Sequence, residues 1–146
     1  IHISGGDEMQ KVCTKIKKNK TKILGVTILT SLNGYQTKKY YNNQNVNELV
    51  KKFALNAKKN NLDGIVCSPL EITTVRKEVG NKMIIIVPGI RLEKKQSNKK
   101  DDQKRVLTPK EAINLGADYL VIGRPIIESN NPLKTLKEIN KSIINK

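Results

Sequence analysis

Tryptophan is absent from this chain of 146 residues, phenylalanine occurs once, and aromatics make up 3% of the whole. A surface that stacks bases on aromatic rings is therefore poorly supplied. There are two cysteines, Cys13 and Cys67, with neither CxxC spacing nor histidines around them, and His2 is the single histidine. That pattern argues against a metal site and against a disulfide framework. Cys67 lies in the apolar run Gly64-Ile65-Val66-Cys67, where a small buried thiol is the simple reading. No apolar run approaches the roughly 18 residues of a membrane span, and no basic-then-apolar leader opens the chain. The expectation is a soluble, cytoplasmic protein with no membrane contact.

Acidic residues are also scarce. Thirteen Asp and Glu face 28 Lys and Arg, for a formal charge of +15 and a pI near 9.9. Such a balance is the usual footprint of a nucleic-acid partner, but that reading needs the basic residues gathered on one face. Here 24 of the 28 are Lys, and they are scattered along the whole chain. With abundant Asn and Ile, this looks like the amino-acid shadow of an AT-rich genome, and most Lys are read as solvated surface. No nucleic-acid partner is expected.

At 37% hydrophobic the chain can bury a core. Apolar clusters alternate in kind along it. Ile23 to Leu29 is a short, nearly continuous run of the type expected for a strand buried on both faces of a parallel sheet. Val46, Leu49, Val50, Phe53, Ala54 and Ala57 then recur with helical spacing. Gly64 to Cys67 reads as the next strand, and Ser68-Pro69-Leu70-Glu71 as a helix start with Ser as cap, Pro first and Glu three after the cap. Ile72, Val75 and Val79 continue that helix. Met83 to Val87 is a third strand, followed by a polar stretch from Leu92 to Arg105. Thr108-Pro109-Lys110-Glu111 repeats the helix-start chemistry, Gly116 fits a C-terminal cap, Tyr119 to Ile122 is a fourth strand, and Leu133, Leu136, Ile139 and Ile143 mark a last helix. At the N-terminus Ile1 to Ile3 reads as a strand tail, with Met9, Val12, Cys13 and Ile16 on a helix.

Strands alternating with helices imply an α/β fold with parallel strands and helical crossovers. An open doubly wound sheet and part of a (β/α)8 barrel both fit. The length is short of the ~250 residues of a complete barrel. In either architecture ligands meet the C-terminal ends of the strands. The residues there are His2-Ile3-Ser4-Gly5-Gly6, Thr30-Ser31, Ser68-Pro69, Pro88-Gly89-Ile90-Arg91 and Gly123-Arg124-Pro125. Glycine lets backbone amides approach an anion, and Arg offers a planar fork to phosphate oxygens. Two of only four Arg directly follow strand ends. The plainer readings are a strand-ending turn for Gly-Arg-Pro, a structural hydrogen-bonder for His2, a cap for Thr30-Ser31, and local charge balance for Asp101-Asp102.

The ordered series HISGG (2–6), LGVTILTSL (24–32), LDGIVCSP (62–69), IIIVPGIR (84–91), DDQKR-x-x-TP (101–109) and GADYLVIGRP (116–125) resembles the orotidine 5′-phosphate decarboxylase family, in the branch typical of bacteria. The resemblance spans essentially the whole chain. It implies a TIM barrel, of which residues 1–146 are the C-terminal portion, about strands 4 to 8 of one domain. It implies a homodimer that converts orotidine 5′-monophosphate to UMP and carbon dioxide without metal or organic cofactor. Carried over by position, it makes Thr30, Arg91, Gln103, Gly123 and Arg124 the substrate-binding residues. The loop between Arg91 and Val106 closes over the phosphate, Gln103 bridges phosphate and pyrimidine, and Gly123 with Arg124 holds the phosphate. A relative such as a hexulose-phosphate synthase shares that Gly-Arg site, and a basic nucleic-acid-binding α/β domain is the remaining alternative.

The family's proton donor is a Lys in an Asp-x-Lys-x-x-Asp motif, and this chain contains none. Asp102-Gln103-Lys104 begins correctly but meets Leu107 where the second Asp belongs. With Ile as first residue, the expectation is a fragment whose catalytic network falls before Ile1, inactive alone. Its open parallel edges and apolar faces lead to association or instability.

Overall fold

A computed structural model of the chain describes residues 1–92 and 107–144. The strands are β1 (Leu24–Val26), β2 (Gly64–Val66), β3 (Ile84–Val87) and β4 (Tyr119–Leu120). The helices are α1 (Asp7–Ile16), α2 (Gly34–Tyr41), α3 (Val46–Lys59), α4 (Ile72–Val79), α5 (Pro109–Asn114), α6 (Arg124–Ile127) and α7 (Pro132–Ile144). All strand pairs are parallel and the sheet order is β1-β2-β3-β4, the order of the chain. This decides between the two architectures. A doubly wound sheet reverses its strand order at a switch point, whereas four neighbours in sequence, each crossover of the usual right hand, wind in one direction as a barrel does. The tail expected at Ile1 to Ile3 is reduced to one parallel bridge, His2 to Val26, before Ile3–Gly5 form a 3₁₀ turn.

Register explains the burial. Gly25, Ile65 and Ile85 lie in one row, and Val87 pairs with Leu120 on the same side. Ile65, Ile85 and Val87 are fully buried there against Val75, Val79, Ala54 and Ala57 of the helices. Gly25 is needed for this packing, because a Cβ would meet Ile3 and Leu62 at 2.8 Å. The opposite row, Val26, Val66, Ile86 and Tyr119, is half-buried or exposed. Among the described residues the helices cover one face of the strands, and the other face is less deeply buried.

The helix starts follow their local chemistry. Thr108 and Glu111 form a reciprocal capping box, with the Thr108 N–H donating to the Glu111 carboxylate at 2.9 Å and the Glu111 N–H to Thr108 Oγ1 at 3.3 Å. Gly116 ends that unit with φ +107°, as a C-cap requires. Sequence periodicity passed over α2, whose exposed Tyr35, Lys38, Lys39 and Tyr40 leave no clear stripe. It is held instead by an Asn33/Gln36 capping box and by Tyr41, edge-on to Phe53 at 5.9 Å.

At the N-terminal ends of the strands one device occurs twice. Asp63, just before β2, accepts from the Ile23 N–H at 2.8 Å and pairs with Lys17, the C-cap of α1, at 2.7 Å. Asp118, just before β4, accepts from the Ile85 N–H at 2.7 Å and pairs with Arg76 of α4 at 2.7 Å. Arg76 also donates to the carbonyls of Gly80, Met83 and Gly116. Each carboxylate ties its strand to a neighbour and to a helix. Burial pushes the Asp63 carboxyl up, but the hydrogen bonds from Lys17 and Ile23 and the charges of Lys17 and Lys22 outweigh it and hold the group below its ordinary value. A second network, Gln10 with Asn56 at 2.6 Å and Asn60 at 3.2 Å, fastens α1 to α3.

Because Asp63 titrates lower when folded, its stabilisation is complete above the ordinary carboxylate pKa of about 4 and is lost as pH falls through the lowered value. Asp63→Asn is expected to cost about 1–3 kcal/mol at pH 7 and to flatten the acid limb of the stability profile, read by urea unfolding between pH 7 and pH 3. An unchanged midpoint at pH 7 contradicts this.

Candidate functional site

Parallel pairing in chain order places every strand's C-terminal end on one rim, and that rim carries the residues singled out by motif. β3 ends in Pro88-Gly89, with Gly89 at φ +78° turning the chain so that Ile90 and Arg91 leave the sheet. Ile90 forms a parallel bridge with Leu107, and the Arg91 N–H donates to the Leu107 carbonyl at 3.0 Å. Ile90 and Arg91 on one side of positions 93–106 and Leu107 on the other are thus held together. Gln103, with Asp101 and Asp102, lies outside the described residues. The half-buried Arg91 guanidinium donates to the Ile90 carbonyl at 3.0 Å.

From the adjacent strand β4 the chain continues through Val121 and Ile122 to Gly123, whose carbonyl accepts from Ile126 and Ile127 at 2.8 and 3.1 Å to start the short α6. Gly123 is exposed, and a Cβ added there would meet nothing within 4 Å. Its backbone is open to approach. Arg124 follows, half-buried. Arg91 and Gly123-Arg124 thus follow neighbouring strands, β3 and β4, whose axes lie about 5 Å apart in a sheet. Thr30 stands on the same rim beyond β1, roughly 14 Å from β4 along the sheet. It lines a separate cavity of about 430 Å³ with Ser31, Asn33, Gln44, Asn45 and Leu70. Arg91 and Gly123-Arg124 follow adjacent strands, whereas Thr30 follows β1 at the other side of the described sheet.

Between them, beyond β2, lies Ser68, which the sequence marks both as a strand-end position and as a helix cap. The Ser68 N–H donates to the Glu71 carboxylate at 2.9 Å, yet the fully buried Ser68 Oγ has no hydrogen-bond partner among the described residues. A buried hydroxyl in that state costs free energy unless something else engages it. Its position after the apolar run was the available signal.

The model of the Orotidine 5′-phosphate decarboxylase / HUMPS family matches residues 1–139. The chain belongs to this family. Proteins named orotidine 5′-phosphate decarboxylase from Coxiella burnetii (strain RSA 331 / Henzerling II) and from Wolbachia pipientis subsp. Culex pipiens (strain wPip) are 45% and 46% identical to it, each match covering 98% of the chain and 61% and 62% of the relative. A solved orotidine 5′-phosphate decarboxylase from Lactobacillus acidophilus superposes with a TM-score of 0.80 at 28% identity, over 99% of this chain and 62% of that one. One from Pyrococcus horikoshii OT3, at 22% identity and a TM-score of 0.70, shares the fold. The chain spans about three fifths of the length of these relatives, and its four-stranded sheet is a partial (β/α)8 barrel of the orotidine 5′-phosphate decarboxylase type.

Elsewhere the decarboxylase-family chain presents chemistry that stays silent. No group of three or more His, Cys, Asp or Glu among the described residues could hold a metal ion, and no described helix is long and apolar enough to cross a membrane. Lys11, Lys15, Lys17 and Lys59 line a cavity of about 420 Å³ at α1 and α3, far from the rim. Three of them are matched by carboxylates: Lys11 by Glu8 at 3.5 Å, Lys17 by Asp63 and Lys59 by Asp7 at 3.8 Å. His2 is exposed at the chain's edge. Cys67 is buried, and desolvation, then the Glu71 charge, pushes its thiol far above the ordinary value. A nucleophilic role does not follow from such a group. Iodoacetamide at pH 8 is expected to spare Cys67 in the folded chain and modify it in urea, as read by peptide mass. Modification at the same rate in both states contradicts its burial.

Proposed function

We propose that this chain is the substrate-gripping portion of an orotidine 5′-phosphate decarboxylase, a single barrel domain that converts orotidine 5′-monophosphate to UMP and carbon dioxide. The observation that carries the proposal is that Arg91 follows β3 and Gly123-Arg124 follows the adjacent parallel β4, at the same rim, with the Arg91 N–H held on the Leu107 carbonyl at 3.0 Å. Its relatives bear that name at 45–46% identity.

In this reading Gly123 admits the phosphate to the backbone and Arg124 meets its oxygens bidentately. Arg91 and Gln103 belong to the segment that closes over the nucleotide, and Thr30 and Ser68 bear on the rest of the substrate. Loss of carbon dioxide from the pyrimidine leaves a carbanion with little delocalisation, so developing charge must be stabilised and a proton supplied. Binding energy from the distant phosphate serves to close the loop and organise a dry site, which raises turnover and not only affinity. The proton donor belongs to an Asp-x-Lys-x-x-Asp motif that these 146 residues do not contain. The same reading takes the protein to be a cytoplasmic homodimer acting on a small nucleotide, with no cofactor and no nucleic-acid partner.

Calorimetric titration tests this directly. UMP is expected to bind saturably and at least tenfold more tightly than uridine. Arg124→Ala is expected to weaken UMP by about 1.5–3 kcal/mol, the worth of a charge-assisted hydrogen bond, and to leave uridine unchanged. Equal affinity for UMP and uridine contradicts the phosphate grip. Steep salt-dependent RNA binding with no UMP binding favours a polyanion surface instead, and preference for a hexulose phosphate over UMP moves the site to the HUMPS branch.

A further inference from the structure

Asp118 and Asp63 each fix a strand entry at two points. The Asp118 N–H donates to the Ile85 carbonyl at 2.9 Å while its carboxylate takes the Ile85 N–H at 2.7 Å, so the side chain stands in for a rung of the ladder. Asp63 does the same with Ile23, at 2.9 and 2.8 Å. The cations behind the two carboxylates differ. Lys17 donates to both oxygens of Asp63. The guanidinium of Arg76 donates to Gly80 and Met83 at 2.8 Å each, to Gly116 through Nε at 3.2 Å and Nη2 at 2.6 Å, and to Asp118 at 2.7 Å. Those bonds engage all five N–H donors of the group. A Cβ on Gly116 would stand 3.3 Å from Arg76 Nε, so the glycine leaves room for this approach. One side chain thereby holds the polypeptide both where it enters β3 and where it approaches β4.

We propose that Arg76, acting through Asp118, is the positioning residue of the phosphate grip, setting the register in which β4 delivers Gly123 and Arg124 to the rim. The ladder alone holds β4 weakly. It has two residue pairs with β3, Ile86 with Tyr119 and Val87 with Leu120, where β1–β2 and β2–β3 have three each. A slip of one residue turns every side chain of a strand to the other face and shifts its end by about 3.3 Å. That shift far exceeds the ~0.5 Å range of hydrogen-bond distances, so a register error at Asp118 removes the grip at Gly123-Arg124. Asp63 fixes β2 against β1, and those strands lead to Ser68 and Thr30 instead.

This inference rests on reading the rim as a phosphate site, and the test therefore has one arm without ligand and one with it. Asp118→Asn keeps an oxygen for the Ile85 N–H and removes the charge that holds Arg76; Arg76→Lys keeps the charge and loses the fork. Asp63→Asn makes the equivalent change at β2 and serves as the control. In the free chain the Val121 amide, bonded to the Val87 carbonyl at 2.9 Å, is expected to exchange about tenfold faster relative to the Cys67 amide in the first two variants, and at the parent ratio in the control. By calorimetry, the preference for UMP over uridine is expected to fall from tenfold or more to below about threefold in the first two variants and to persist in the control. Both arms are run where far-UV circular dichroism shows folded protein, and Arg76→Lys carries them if Asp118→Asn does not fold. Retention of the preference in Asp118→Asn and Arg76→Lys overturns the proposal. So does its equal loss in all three variants, which makes Arg76 structural only. Equal binding of UMP and uridine by the parent refutes the phosphate reading instead, and the exchange arm then decides alone: Val121 and Cys67 accelerating together overturns the register role of Arg76.

Discussion

Parallel pairing in chain order is the constraint on which the rest of this structure depends. Once β1 to β4 lie side by side in sequence, each right-handed crossover returns its helix to the same face. Helices therefore bury Ile65, Ile85 and Val87 completely, while Val26, Val66 and Ile86 on the other face stay half-covered. The same ordering collects all C-terminal strand ends on one rim. Arg91 and Gly123-Arg124 come to the same rim because β3 and β4 are neighbours, although 32 intervening positions separate the two arginines in sequence.

The two ends of the sheet are built for different purposes. At the N-terminal end Asp63 with Lys17 and Asp118 with Arg76 saturate strand-edge N–H groups and bind helices to strands. Lys17 and Arg76 there are answered by carboxylates within the protein. At the C-terminal rim the backbone of Gly123 is open, and the hydroxyl of Ser68 has no described partner. Polar capacity directed away from the protein's own needs is what a ligand site requires, and a barrel's ligands meet this rim. The charge of +15 carries far less information than its placement, since lysines lining the cavity at α1 and α3 are largely neutralised by local carboxylates.

Much of this was legible in the residues. Short aliphatic runs marked all four strands, and the Thr108-x-x-Glu111 spacing with Gly116 marked the bounds of α5, because capping chemistry is local. Strand lengths were overestimated: Ile23 to Leu29 shrinks to Leu24–Val26, since a strand extends only as far as its neighbour pairs. α2 escaped because caps and one aromatic contact hold it rather than an apolar stripe. The competition between open sheet and barrel turned on strand order, a property of pairing between distant segments that periodicity does not encode. The site was legible as strand-end residues, but which strand ends adjoin, β3 beside β4 and β1 three strands from β4, came only with the sheet. The loop residue Gln103 lies outside the described residues.

The central claim is that the rim at β3 and β4 grips the phosphate of a nucleoside monophosphate. Amide chemical-shift mapping of the ¹⁵N-labelled chain during titration with UMP tests it most directly. The account predicts saturable shifts centred on Gly89 to Arg91 and Gly123 to Ile126, with those around Lys11, Lys15 and Lys59 unmoved. Shifts confined to the lysine-lined face at α1 and α3, or none at the rim at saturating UMP, would contradict it.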